Sequence, residues 1–121
     1  MKFYLSGPMS GIENYNRPAF FELEKVIKSI STKIDPEHQH RVFNPARIPD
    51  ADNKKYRQLM RECLWGLTYC SHFVQLPGWE HSSGALIEYT VAVTFEMPII
   101  KSTDIQTWLV KNLNPIFGPK K

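Results

Sequence analysis

The sequence predicts a single α/β domain, a three-layer sandwich in which a four- to five-stranded, mostly parallel sheet is covered by helices on both faces. Two observations carry that expectation. Short apolar runs of strand type alternate with segments of helical periodicity, and the strand-type runs stop at glycine or proline. A chain of 121 residues, 42% hydrophobic and with seven Phe, five Tyr and three Trp, suffices for one core and leaves no room for a second module.

Phe3-Tyr4-Leu5 reads as a first strand ending in the turn sequence Ser6-Gly7-Pro8-Met9-Ser10-Gly11. Pro18 suits the first turn of the helix that follows, Asn16 is a candidate cap, and Phe20, Leu23, Ile27 and Ile30 recur at helical spacing. After the polar connection Asp35-Pro36-Glu37, Arg41-Val42-Phe43-Asn44 is a second strand stopped by Pro45, with a loop to about Asn53. Met60, Cys63, Leu64 and Leu67 mark a second helix, and His72-Phe73-Val74-Gln75-Leu76 a third strand stopped by Pro77-Gly78. Ser82 or Ser83 caps a third helix carrying Ala85, Leu86, Tyr89 and Val93. Pro98-Ile99-Ile100 is a fourth strand, and Thr103 or Asp104 caps a last helix through Trp108 and Leu109. The domain is expected to span 1–113, with 114–121 as a C-terminal extension.

Alternating strands and helices imply right-handed crossovers, and ligands of such sheets bind outside the carboxyl ends of the strands. That rule gathers the loop from Ser6 to Gly11, Asn44, and the stretch from Leu76 to Gly84 around one crevice. The net charge of +3, from 15 Lys and Arg against 12 Asp and Glu, is mild and dispersed, which suits a small anionic ligand and argues against nucleic acid as a partner. No segment has the length of a signal peptide or a membrane helix, so the expected location is the cytoplasm, without membrane association. Cys63 and Cys70 fall within one helical pattern and are expected to be reduced and buried, and His72 and His81 have no partners at metal-ligand spacing.

Glu88 is the leading candidate for chemistry. It lies in the second turn of the third helix, past the reach of a capping box, with Gly84, Ala85, Val91 and Ala92 as helical neighbours and no lysine or arginine placed to pair with it. A partly buried carboxylate beside a helix start that favours anions is a candidate nucleophile or base. Ser82-Ser83-Gly84 would hold an anionic group there, Gly84 by permitting close approach. The loop residues Ser6, Gly7, Met9, Ser10 and Gly11 offer backbone amides and hydroxyls, although a tight turn is an equal reading of that segment. Tyr4 either hydrogen-bonds the carboxylate or is ordinary core. Met9 and Trp79 are candidate walls for a planar base, or ordinary packing.

Tyr4-Leu5-Ser6-Gly7-Pro8-Met9-Ser10-Gly11, Asn44-Pro45-Ala46 and Leu76-Pro77-Gly78-Trp79-Glu80, followed by Ser82-Ser83-Gly84-Ala85 and Glu88, resemble DUF4406, a phage and bacterial family of uncharacterised proteins. That family is similar to the nucleoside 2-deoxyribosyltransferases and the 2'-deoxynucleoside 5'-phosphate N-hydrolases. The resemblance implies a flavodoxin- or Rossmann-like sheet, a homo-oligomer, and cleavage of an N-glycosidic bond without metal or organic cofactor. It also implies that Glu88 attacks the anomeric carbon, that Tyr4 orients it, and that Ser82 and Gly84 hold the 5' end of a nucleotide; Asn44 and Gly78 are candidate binding residues by the strand-end rule. The resemblance implies that related sequences usually carry an aspartate on the second helix, eight residues before a second aspartate that begins the third strand. Here those positions are Cys63 and Ser71, and Glu62 is adjacent to the first. The alternative to an enzyme is therefore a protein of this fold that binds a nucleotide or nucleotide signal without turnover.

Overall fold

The computed structural model describes residues 1–49 and 53–113. Four strands, β1 (Lys2–Ser6), β2 (Arg41–Phe43), β3 (His72–Gln75) and β4 (Ile99–Lys101), form one sheet in the order β2-β1-β3-β4, and every pairing is parallel. The helices α1 (Arg17–Ile34), α2 (Tyr56–Thr68) and α3 (Ser83–Thr94) supply the three crossovers, and α4 (Ile105–Leu113) follows the last strand. The expected sandwich is therefore present with four strands, all parallel. The extension from 114 onward lies outside the described residues.

Side-chain alternation along the strands divides the core in two. Phe3, Leu5, Val74, Leu76 and Ile100 meet Phe20, Leu23 and Ile27 of α1 and Ile105 and Leu109 of α4. Tyr4 and Phe73 point the other way, to Cys63 and Leu67 of α2 and Ala92 of α3. Each fully buried large side chain contributes about 1.5–3 kcal/mol. Trp108 packs its ring edge-on to Phe3 at 6.0 Å.

On the second face the register sets Phe43 and Phe73 directly beside Tyr4, so three rings stack across three strands, with centroids 5.3 and 5.9 Å apart and planes within 11° and 5° of parallel. Gly66 of α2 lies against Phe43, and a Cβ there would collide with the ring. The missing side chain lets the helix settle on this ladder.

The caps differ in part from expectation. Ser82 caps α3 by accepting from the Ala85 N–H at 3.2 Å. Asn16 precedes α1 in a left-handed conformation and makes no cap bond. Its Nδ2 donates instead to the Pro8 carbonyl at 2.9 Å, tying the glycine loop to the start of α1. Thr103 and Asp104 belong to a 3₁₀ turn that runs directly into α4.

Candidate active site

In the order β2-β1-β3-β4 the connections from β1 and β3 depart to opposite faces, and a crevice opens between the carboxyl ends of those neighbouring strands. A cavity of about 190 Å³ lies there. Gly7, Met9 and Ser10 from the loop after β1 form one side, with Phe20 and Pro45 behind them. Tyr56, Met60 and Cys63 of α2 form the opposite side, and His81, Ser82, Ser83, Gly84, Ala85 and Glu88 close it along the start of α3.

Glu88 is 5% exposed. Tyr4 donates its hydroxyl to Oε2 at 2.6 Å and Ser6 donates to Oε1 at 2.6 Å. Tyr4 and Ser6 alternate with Leu5, so both side chains leave β1 on the α3 side, at its carboxyl end. The ring ladder holds Tyr4 on either flank, which fixes its hydroxyl before any ligand arrives. Among the described residues Glu88 has no ion-pair partner. Burial therefore pushes its carboxyl up to about 7, although the bonds from Ser6 and Tyr4 act to lower it. Burial and the neighbouring Glu88 charge raise the Tyr4 hydroxyl well above its ordinary range, so Tyr4 remains a donor.

Cys63 borders both the cavity and the Tyr4 side of this constellation. Burial, followed by the Glu88 charge, pushes its thiol up to about 12, so it is a neutral thiol at physiological pH. Ser71 sits at the opposite end of the sheet, where its Oγ accepts from the Lys2 N–H at 3.0 Å. Glu62 turns outward and pairs with Lys54 at 2.7 Å, so it does not substitute for an aspartate at position 63.

Of the residues singled out in the sequence, Gly7, Met9, Ser10, Ser82, Ser83, Gly84 and Glu88 line the cavity, while Tyr4 and Ser6 lie behind its wall as hydroxyl partners of Glu88. Gly11, Asn44, Gly78 and Trp79 are not in the lining. Gly11 sits at φ +80 with open space around it. Asn44 is buried in the scaffold: its Oδ1 accepts from the Ala46 N–H and its Nδ2 donates to Glu24 at 3.1 Å. Gly78 adopts φ +87, which lets the chain turn out of β3, and Trp79 lies against Tyr89 with ring centroids 4.7 Å apart. The walls that the cavity uses are Met9, Phe20, Tyr56 and Met60.

Gly7 and Gly84 both serve close approach. A Cβ on Gly7 would come within 2.7 Å of the Leu76 Cβ, and one on Gly84 within 3.3 Å of the Met60 sulfur and 3.5 Å of the Tyr56 hydroxyl. At Gly84 the tight contact is with the flexible end of Met60, which would have to give by a few tenths of an ångström for a larger side chain to fit at the start of α3. Chemically, the cavity combines an anion-favouring helix start, aromatic and thioether walls, and a carboxylate that gains or loses its proton near neutral pH.

Across known structures, the chain is similar to a 2-deoxyribosyltransferase from the psychrotolerant bacterium Bacillus psychrosaccharolyticus, with a TM-score of 0.65, 13% identity, and all of both chains covered. That likeness shows the fold. No curated protein sequence matches the chain. The profile of DUF4406, a domain of unknown function, matches residues 1–101, and the chain belongs to that family.

Proposed function

We propose that this protein cleaves the N-glycosidic bond of a nucleoside or nucleoside 5'-monophosphate, by hydrolysis or by transfer to a second base, with Glu88 as nucleophile. The observation that carries the reading is the Glu88 carboxylate, buried beside the cavity and held by Tyr4 and Ser6 without a cation to neutralise it. An ionised carboxylate stabilises an oxocarbenium-like transition state and can bond to the anomeric carbon as the base departs with the bonding pair. Water or a second base then displaces the carboxylate, which returns with its charge restored. The likeness in fold to a 2-deoxyribosyltransferase supports the same reaction class. The start of α3, with Ser82, Ser83 and Gly84, suits a phosphate at the 5' position.

One observation favours a second reading, a nucleotide-binding protein without turnover. Cys63 stands where related sequences carry an aspartate, and its thiol, pushed up to about 12, is too weak an acid to protonate a leaving base.

The test is chromatographic detection of free base after incubation with a panel of ribo- and deoxynucleosides and their 5'-monophosphates. Base release that falls on the order of 1,000-fold or more in Glu88→Gln is the expected result. Release that survives Glu88→Gln would remove Glu88 from the mechanism. No release, together with thermal stabilisation by one of the same ligands, would select the binding protein.

A further inference from the structure

Gln75, the last residue of β3, is buried, and among the described residues its Nε2 has no hydrogen-bond partner. A buried amide donor left unpaired destabilises the fold, so a glutamine in place of an apolar residue calls for a role. The register sets Gln75 beside Ser6, two residues beyond the stacked pair Tyr4 and Phe73. Alternation therefore turns Gln75 to the same face as Tyr4 and Ser6, under α2 and α3, at the carboxyl end of the sheet. From the neighbouring strand Ser6 meets Glu88 Oε1 at 2.6 Å. Adjacent strands run about 4.8 Å apart, an offset that the longer glutamine side chain spans to reach the same carboxylate.

We propose that Gln75 is a positioning residue for Glu88: its amide swings to the carboxylate when Glu88 ionises and becomes a third donor beside Tyr4 and Ser6. An ionised carboxylate accepts at about four lone-pair sites. Tyr4 and Ser6 each fill one, on different oxygens, so acceptor capacity remains on both. Burial keeps bulk water from supplying the missing donor, and among the described residues no cation pairs with Glu88. A hydrogen bond to a charged acceptor is roughly twice as strong as one to a neutral acceptor. The amide therefore engages the ionised form in preference to the protonated one and acts against the burial that pushes the carboxyl up.

A bound nucleotide would also occupy the amide, but Gln75, like Tyr4 and Ser6, lies behind the cavity lining. The other titratable or charged groups around the pair are Tyr4 on β1, Cys63 and Tyr56 on α2, His81 before α3, Tyr89 on α3, and Lys101, the exposed register partner of Gln75 on β4. Burial and the Glu88 charge keep Tyr4 and Cys63 protonated through neutral pH. Glu88→Gln separates the titration of Glu88 from that of the rest. The consequence for catalysis rests on the proposed role of Glu88 as nucleophile: a donor that favours the ionised form enlarges the fraction able to attack without itself touching substrate.

Nuclear magnetic resonance of the whole chain between about pH 5 and pH 9 tests this. The Gln75 side-chain amide is expected to shift with the same midpoint as the Glu88 carboxyl, and to lose that shift in Glu88→Gln. In Gln75→Met, which keeps the volume, the Glu88 midpoint should rise by roughly one pH unit, and base release at pH 7 should fall about fivefold and recover at higher pH. An amide that stays flat across the range would overturn the proposal, as would a Glu88 midpoint unmoved by Gln75→Met. An amide that shifts only when a nucleotide is added would overturn it in favour of a ligand contact. Should Gln75→Met fail to fold, the amide titration, read on the native chain, decides alone. Coincident titration in a chain that releases no base would sink the nucleophile reading and keep this one, whereas base release with a flat amide would do the reverse.

Discussion

Glu24 and Glu88 are both buried, 4% and 5% exposed, yet they sit on opposite faces of the sheet with opposite partners. Glu24, on α1, accepts from Arg47 Nε at 2.8 Å and from its second guanidinium nitrogen at 2.7 Å, with Asn44 Nδ2 at 3.1 Å and the Lys28 ammonium at 3.3 Å. Those bonds, the Arg47 pair foremost, hold its carboxyl down at about 2. Glu88 receives two hydroxyls and no cation, and burial lifts it to about 7. Glu24 has its charge balanced and its oxygens occupied, so it anchors α1 to the turn after β2. Glu88 is held in orientation with its charge left uncompensated, the condition under which a carboxylate can still react. Burial alone does not mark a functional carboxylate. What distinguishes the two is whether the partners cancel the charge or only aim it.

The sharpest break between them is the sign of their effect on stability against pH. Between the unfolded value of 4.5 and the folded value of about 7, the native state keeps a proton on Glu88 that the unfolded chain has lost. Stability therefore falls as pH rises through that window and stays lowered above it. At about 1.4 kcal/mol per pH unit, the cost above neutrality is roughly 3 kcal/mol. Glu88→Gln should match the native chain in urea denaturation at pH 4.5 and exceed it by about that amount at pH 8.5. An unchanged difference at the two pH values would show that Glu88 is not desolvated as the geometry implies.

Glu24 has the reverse dependence, with a smaller magnitude. Its folded value of about 2 lies below the unfolded 4.5, so its contribution is present above pH 4.5 and is lost as pH falls toward 2. The Arg47 side chain is 58% exposed, and solvent screens the pair accordingly. Glu24→Gln is expected to cost about 1–2 kcal/mol at pH 7, with the difference from the native chain shrinking below pH 4. A cost that persists at pH 2.5 would assign the effect to packing instead of charge.

Most of the frame was legible in the sequence because it rests on local signals. Phe3-Tyr4-Leu5 and Phe73-Val74 are short apolar runs closed by glycine or proline, and Ser82 is a cap with its helix written behind it. Glu88 stood out because no capping box or helical cation accounted for it, and Tyr4 and Ser6 are two residues apart on one strand. The α2 wall was harder to see. Met60 and Cys63 read as core by periodicity, and they do face inward, but the upper part of that face overhangs the cavity. Only the height of α2 relative to the strand ends decides this, and no spacing in the chain encodes it. Asn44 and Trp79 follow strands as the topology rule requires. Short 3₁₀ turns then direct Asn44 to Glu24 and Trp79 to Tyr89, and such turns depend on packing more than on composition.

The smallest expected effect separates orientation from charge within the Glu88 site itself. Tyr4→Phe keeps the ring between Phe43 and Phe73, so the ladder remains, and the lost hydrogen bond should cost only about 1 kcal/mol in stability. It removes one of the two donors that favour the ionised carboxylate, and the Glu88 carboxyl moves further up. Under the proposed mechanism only the ionised form attacks, so base release at pH 7 should drop by roughly tenfold and recover as the pH is raised toward 9. Activity lost equally at all pH values would mean that Tyr4 positions the carboxylate without tuning it. Activity unchanged at every pH would mean that Ser6 alone, donating to the other oxygen, suffices to hold Glu88 in place.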